Sequence, residues 1–238
     1  MRKLGIIGGM SWSSTALYYE AINKAVVGRL GGLHSAPLLI ESHDFAPLAA
    51  LQQRQDWSAV AERMVDSARR LQAAGADGLL IASNTMHRVY DEVAAALSIP
   101  VLHIADAAAD RLARDGISRA ALLGTRFTMT EGFVRNRIES RGVTLAPLDA
   151  QWMGEVDRII YQELAAGQVV RDSQRKLKTL ITELGKKKVQ AVVLGCTELV
   201  LAVDTRANVL PVYDTTALHA RAAAEWMLAP PEAFRVAA

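Results

Sequence analysis

The sequence predicts an α/β fold of two similar lobes built on mainly parallel sheets. Three observations predict it. Short apolar runs ending in glycine alternate with stretches of helical spacing, the pattern of buried parallel strands and the helices that cover them. The plan then restarts. Gly8 and Gly124 stand 116 positions apart, Ser83 and Cys196 stand 113 apart, and all four follow or end an apolar run. Lastly, the run over 191–194 turns at Gly195 and presents a thiol, a hydroxyl and a carboxylate in a row, Cys196-Thr197-Glu198. The end of such a strand is where open α/β sheets bind ligands.

The elements follow in order. Residues 4–7 read as a first strand, followed by the loop Gly8-Gly9-Met10-Ser11-Trp12-Ser13-Ser14. A helix is expected from about Ser14 to the break at Gly31-Gly32. Glycines allow tight turns in that loop, and free N–H groups at a helix start can hold an anion. The loop has neither the Gly-Lys-Ser/Thr of a phosphate-binding loop nor GxGxxG spacing, and a plain strand-to-helix turn reads equally well. A second strand covers 37–41, with His43, Asp44, Gln52, Gln53 and Arg54 expected in or near the loop after it. A helix over 57–74 stops at Gly75. The third strand, 77–82, runs into Ser83-Asn84-Thr85-Met86-His87, and a helix then reaches about residue 97. A fourth strand over 100–104 and a helix from about Asp106 complete the first half.

In the second half, a strand from 119 ends in the hydroxyl-rich loop Thr125-Arg126-Phe127-Thr128-Met129-Thr130. A short strand lies near 143–145, and helices are expected over 152–164 and 172–184, the latter stopped by Gly185. The Cys196 strand, a last strand over 208–212 and a helix over 215–227 follow; the tail after Pro230 carries no signal. The lobes are therefore read as 1–105 plus 212–238, and 106–211. A pseudo-two-fold relation between them would set Ser83 and Cys196 on opposite walls of one cleft, with the hydroxyl-rich loops beside them.

Composition narrows the function classes. At 238 residues the chain has room for one large domain or two of about 110 residues. A formal charge of +2 without a long basic run argues against nucleic acid as a partner. One cysteine excludes an internal disulfide framework and any cysteine zinc site. The apolar run after Met1-Arg2-Lys3 is too short for a signal peptide, and no stretch spans a bilayer. The expectation is a cytoplasmic enzyme or binding protein.

Two proton-transfer groups across a cleft suit a carbon bearing an acidic C–H: one face loses the proton and the other gains one. The base must be poised near the working pH. A thiol at a helix start meets that need, because the helix end favours the thiolate. On position alone, Cys196 is equally a small buried apolar residue. Ser83 has no activating base nearby in sequence, so it donates a hydrogen bond, relays a proton through water, or leaves space. His87, one helical turn on, either orients Ser83 or satisfies a backbone group. His34, His43, His103 and His219 show no metal-ligand spacing, so neither a metal nor pyridoxal phosphate is expected.

Four segments then carry a specific resemblance: Gly8-Gly9-Met10-Ser11-Trp12, Ser83-Asn84-Thr85-Met86-His87, Leu123-Gly124-Thr125-Arg126-Phe127-Thr128-Met129 and Gly195-Cys196-Thr197-Glu198. With Ile159-Ile160-Tyr161-Gln162-Glu163-Leu164 and Pro211-Val212-Tyr213-Asp214-Thr215, they resemble the aspartate/glutamate racemase family over nearly the whole chain. The resemblance implies two Rossmann-like lobes, often in homodimers. It implies cofactor-independent racemisation of acidic amino acids by two opposed residues, commonly both cysteines. Carried over by position, Cys196 is the second of these and Ser83 occupies the place of the first. A hydroxyl there implies uneven handling of the enantiomers, with Cys196 as the base toward L-substrates. Glutamate racemases place histidine after Gly-Cys-Thr, so Glu198 favours the aspartate-type branch.

Met10 with its loop, Asn84, Thr85, Thr197 and Glu198 match binding positions of that family. Asn84, Thr85 and Thr197, at helix starts, would hold the α-carboxylate. Glu198 would accept the substrate ammonium, and Gln52, with Arg54 second, would reach the side-chain carboxylate. Thr125 and Thr128 follow by their mirror relation to the first loop. Arg54 and Arg126 read equally as solvated surface arginines. Two other functions compete. One is an arylmalonate-type decarboxylase with a single working thiol; the other is a dicarboxylate-binding protein without turnover.

Overall fold

The structure is a computed structural model that describes residues 1–230; the tail beyond Pro230 lies outside them. The chain divides into two compact units, Met1–His103 with His219–Ala238, and Ile104–Leu218.

The first unit holds β1 (Leu4–Gly8), α1 (Trp12–Leu30), β2 (Leu38–Ser42), α2 (Phe45–Gln53), α3 (Trp57–Ala73), β3 (Gly78–Ile81), a 3₁₀ turn (Thr85–Val89), α4 (Tyr90–Ala95) and β4 (Val101–Leu102). All its strands run parallel in the order β2-β1-β3-β4. Strand alternation sends side chains to both faces. Ile7, Leu79 and Ile81 pack against Val60, Met64 and Leu71 of α3 and Leu48 of α2. Leu4, Ile6 and Leu80 pack against Tyr18, Ile22 and Val26 of α1 and against Ala220, Ala223 and Trp226. Covering both faces explains the unbroken apolar runs.

The second unit repeats this plan with α5 (Ile104–Arg114), β5 (Arg119–Gly124), α6 (Arg126–Thr130), α7 (Gly132–Glu139), β6 (Thr144–Leu145), α8 (Ala150–Gln162), α9 (Arg171–Lys186), β7 (Ala191–Gly195) and β8 (Val212–Asp214). Its order, β6-β5-β7-β8, is that of the first sheet, again all parallel. Leu123, Val192 and Leu194 face α8 and α9 through Ile159, Leu177 and Ile181. Ala120, Leu122 and Val193 face α5 and α7 through Ala108, Leu112 and Ile138. Each fully buried leucine or isoleucine in these layers contributes about 1.5–3 kcal/mol. Finally, α10 (Thr215–Leu228) leads the chain back to the first unit.

Four sequence expectations shift. The last strand is 212–214 and not 208–212: it pairs with β7, so it belongs to the second sheet and not to the first lobe. Pro211 has no N–H to give a ladder and instead accepts from Val192 through its carbonyl. Residues 45–53 form α2, so Gln52 and Gln53 lie on a helix. Gly185 does not stop α9, which runs on to Lys186. Residues 126–130, read as part of a loop, form the short helix α6, and α7 follows it.

Candidate active site

In both sheets the chain leaves the central strand first to one side and then to the other. The crossover falls between β1 and β3 in the first unit and between β5 and β7 in the second. Ligands of open α/β sheets bind outside the strand ends at such points. The loops there carry the residues that the sequence singles out.

In the first unit, Gly9 has φ +83°, and a Cβ on it would collide with the backbone N and O of His43. Only glycine lets this loop lie against the end of β2. The loop is fastened from within: Gly9 N–H donates to Thr15 Oγ1 at 2.8 Å, and Thr15 Oγ1 donates to Ser11 O at 3.2 Å. The Gly9 amide is thus used internally and is not open to an anion. Helix α1 also starts at Trp12, two residues before the expected point. Met10 is buried beside Ile7, Leu79 and Met86.

Ser83, Asn84 and Thr85 follow β3 and are all buried. The chain then enters a 3₁₀ turn over Thr85–Val89 that runs straight on into α4, so the expected helix opens as 3₁₀ and ends at Ala95. Gln52, also buried, places its Nε2 3.4 Å from Met86 Sδ, so its amide reaches the turn that carries Ser83. Arg54 caps the end of α2 and is exposed. His87 donates from Nδ1 to Ser83 O at 2.7 Å, the backbone-satisfying role. A polar cluster that sequence reasoning missed lies at the end of β2: Ser67 Oγ stands 2.7 Å from both Glu41 Oε1 and His43 Nε2. Arg70 grips the same Glu41. The signal was available as Glu41 and His43 two apart at a strand end.

In the second unit the ends of β5 and β7 approach closely at two glycines. A Cβ on Gly124 would stand 2.7 Å from Gly195 O, and one on Gly195 would press on Leu122 and Thr128. Thr125 caps α6, accepting from Thr128 N at 3.3 Å, and its hydroxyl meets that of Thr128 at 3.1 Å. Both threonines therefore have local structural work. Arg126 is exposed, while its backbone N–H donates to Asp157 Oδ1 at 2.7 Å and ties α6 to α8.

Beyond Gly195, Cys196 is extended (φ −149°, ψ 131°) and opens a 3₁₀ turn over Thr197–Leu201. Its thiol donates to Glu198 Oε2 at 3.0 Å, and the Thr197 hydroxyl donates to the same oxygen at 2.7 Å. Cys196 is 6% exposed, Thr197 5% and Glu198 8%. The expectation of a depressed thiol pKa is overturned. Burial pushes the Cys196 thiol well up, and the Glu198 charge and hydrogen bond add to it. The backbone N–H groups of Glu198 and Leu199 in this short turn pull the other way and are outweighed. The oxygen of Glu198 expected to hold an ammonium is already shared by Cys196 and Thr197. Tyr161 on α8 is a neighbour that sequence reasoning did not single out: its hydroxyl is pushed up by burial, then by the charges of Asp157, Cys196 and Glu198.

Chemically, this is a neutral thiol joined to a carboxylate that can take its proton. Hydrogen-bond reach between the two is the condition for general acid–base work. Among the described residues no group of three or more His, Cys, Asp or Glu could hold a metal ion, and no helix is long and apolar enough to cross a membrane.

Comparison with known proteins places the chain as a whole. A candidate Asp/Glu racemase from Yersinia pestis has a crystal structure with 43% sequence identity, covering 96% of this chain and 100% of its own, at a TM-score of 0.90. An aspartate racemase homologue from Pyrococcus horikoshii is 30% identical, with 95% of this chain and 99% of that chain covered, at a TM-score of 0.81. A broad specificity amino-acid racemase from Bacillus subtilis is 23% identical over 95% of this chain and 98% of its own length. The sequence model of the Asp/Glu/Hydantoin racemase family matches residues 7–223, almost the entire length described. With that span matched and two similar parallel sheets beneath it, the chain belongs to the Asp/Glu/Hydantoin racemase family.

Proposed function

We propose that this protein racemises an acidic amino acid, L-aspartate or L-glutamate, without a cofactor, with Cys196 as main acid/base and Ser83 serving the opposite face of the substrate. The observation that carries the reading is the Cys196 Sγ–H···Oε2 Glu198 contact at 3.0 Å. A buried thiol pushed up in pKa is a poor base by itself. Glu198 remedies this by accepting the thiol proton as the sulfur attacks the α-hydrogen. Thr197 holds the carboxylate in place for that transfer. On return, the thiol gives its hydrogen to carbon while Glu198 gives its proton back to sulfur, so a single pair serves as base and acid.

The carbanion formed at the α-carbon is stabilised by donors to its carboxylate. Asn84 and Thr85 are assigned that task together with the Thr197 backbone N–H, since the Thr197 hydroxyl is engaged by Glu198, and Met10 shapes the wall beside them. The buried Gln52 amide is assigned to the side-chain carboxylate. Reprotonation from the opposite face passes through Ser83 and water, because a serine hydroxyl is too weak an acid to be the resting donor. The two catalytic groups are therefore unequal. A homodimer, which rests on the family resemblance, and a cytoplasmic location, which rests on the sequence reading, belong to this same proposal.

The test is incubation with L-aspartate and L-glutamate in deuterium oxide, following α-proton exchange and chirality together. Exchange with inversion supports the racemase. Binding without exchange overturns it in favour of a sensor, and turnover of an arylmalonate alone overturns it in favour of a decarboxylase. Cys196→Ala is expected to abolish exchange, and Ser83→Cys to raise turnover from the D-enantiomer. Full activity in Cys196→Ala refutes the mechanism.

A further inference from the structure

Ser83 is held by an unusual partner. In an α-helix the N–H of residue 87 would serve the carbonyl of residue 83. The turn here is 3₁₀, so His87 N–H goes instead to Asn84 O at 3.1 Å. The His87 side chain takes over the place thus vacated: its Nδ1 lies 2.7 Å from Ser83 O. A carbonyl only accepts, so Nδ1 carries the proton and the tautomer is fixed.

The ring itself is fixed by others. His87 is 1% exposed. Its centroid is 4.5 Å from that of His103, 5.8 Å from His219 and 6.1 Å from Tyr90, which stacks on it. His219 is pinned at both nitrogens: Nε2–H donates to Leu102 O at 3.0 Å, and Nδ1 accepts from Tyr18 Oη at 2.9 Å. Tyr90 Oη donates to Val101 O at 2.9 Å. The buried rings thus run from α1, α10 and β4 to the one peptide that carries the Ser83 side chain.

We infer that His87 is a positioning residue for the Ser83 half of the reaction, its Nδ1–H setting where the Ser83 peptide, and so the Ser83 hydroxyl, stands against the substrate. This rests on the racemase reading above. On that reading the Ser83 peptide serves one face of the α-carbon, so His87 acts on that face only. Two processes separate the faces. Starting from the L-enantiomer, removal and return of the α-proton by Cys196 exchanges it for deuterium with retention. Inversion requires delivery from the Ser83 face as well.

The experiment compares His87→Leu and His87→Asn with the unmodified protein in deuterium oxide, reading retention and inversion separately. His87→Leu removes the donor and is expected to lower inversion about 100-fold, the effect of a displacement near 1 Å, while exchange with retention stays. His87→Asn keeps an N–H near the Nδ1 position and is expected to restore most of the inversion. Imidazole NMR of the unmodified protein is expected to show His87 as the Nδ1–H tautomer. Inversion and retention falling in step, inversion untouched by His87→Leu, no rescue by His87→Asn, or the Nε2–H tautomer each overturns the inference. An unmodified protein that exchanges no α-proton overturns the racemase reading itself, which sets that failure apart from a failure of His87.

Discussion

The buried histidine His219 predicts an acid-sensitive first unit. Its imidazole is pushed from 6.5 down to about 3, first by burial and then by the neighbouring His87. A base kept neutral by folding contributes stability that is complete above its unfolded pKa and is lost as pH falls from 6.5 toward 3. At about pH 5 the unfolded imidazole is protonated and the folded one is not, a penalty of about 2 kcal/mol. That is a large fraction of a typical domain's margin. The perturbation is His219→Gln, whose amide can still donate to Leu102 O and accept from Tyr18 but cannot titrate. Urea unfolding at about pH 7.5 and about pH 5 is the assay. The unmodified protein should lose about 2 kcal/mol more than the variant between the two conditions. Imidazole NMR should show His219 still neutral at the lower pH. Equal acid sensitivity in both proteins, or a His219 resonance titrating at the ordinary histidine value, refutes the reasoning.

Four other substitutions test the fold and the site. Gly9→Ala should destabilise by at least about 2 kcal/mol in urea midpoints, because it adds a positive-φ penalty to a collision with the His43 backbone. Gly31→Ala, also at positive φ but with open space around it, should cost only the smaller backbone term, about 1 kcal/mol. Thr15→Val leaves the Gly9 N–H without its 2.8 Å acceptor and should cost about 1–3 kcal/mol by the same measurement. Glu198→Gln removes the charge that holds the Cys196 thiol up, so alkylation by iodoacetamide should reach its plateau at lower pH. The protein has a single cysteine, so the whole signal reports Cys196.

The strands were legible because two-sided burial leaves an unmistakable mark. β1, β3 and β7 are apolar throughout, β5 is so after Arg119, and each ends near a glycine, serine or cysteine that begins a loop. The second sheet was legible as a repetition of the first. Less visible were elements whose reason lies in another part of the chain. Helix α2 buries Leu48, Leu51 and Gln52, and its start depends on Asp44 accepting from Ala46 N, a short cap within an ordinary polar stretch. β8 escaped because Val209 and Leu210 look more strand-like than Tyr213 and Asp214, yet only the latter pair with β7. At the site, Cys196 and Glu198 were found, but not their mutual hydrogen bond. Sequence spacing shows which groups are near; the direction of a pKa depends on how deeply the thiol is buried and which oxygen it meets. Tyr161 was hidden for the same reason, thirty-five residues upstream on a different helix.

The discontinuity of the first unit bears on how the protein is made. Its sheet lacks part of its covering until α10 arrives, since the Trp226 ring fills the space a Cβ on Gly78 would need and joins Leu4 and Ile6 in one cluster. The unit in the middle, by contrast, is a single uninterrupted segment. On the ribosome, the stretch translated in the middle has all its partners first, while the opening hundred residues wait with β1 and β3 half-covered. During that interval an exposed apolar sheet is the species that a holding chaperone would meet, and a ribosome stalled before Trp226 would prolong it.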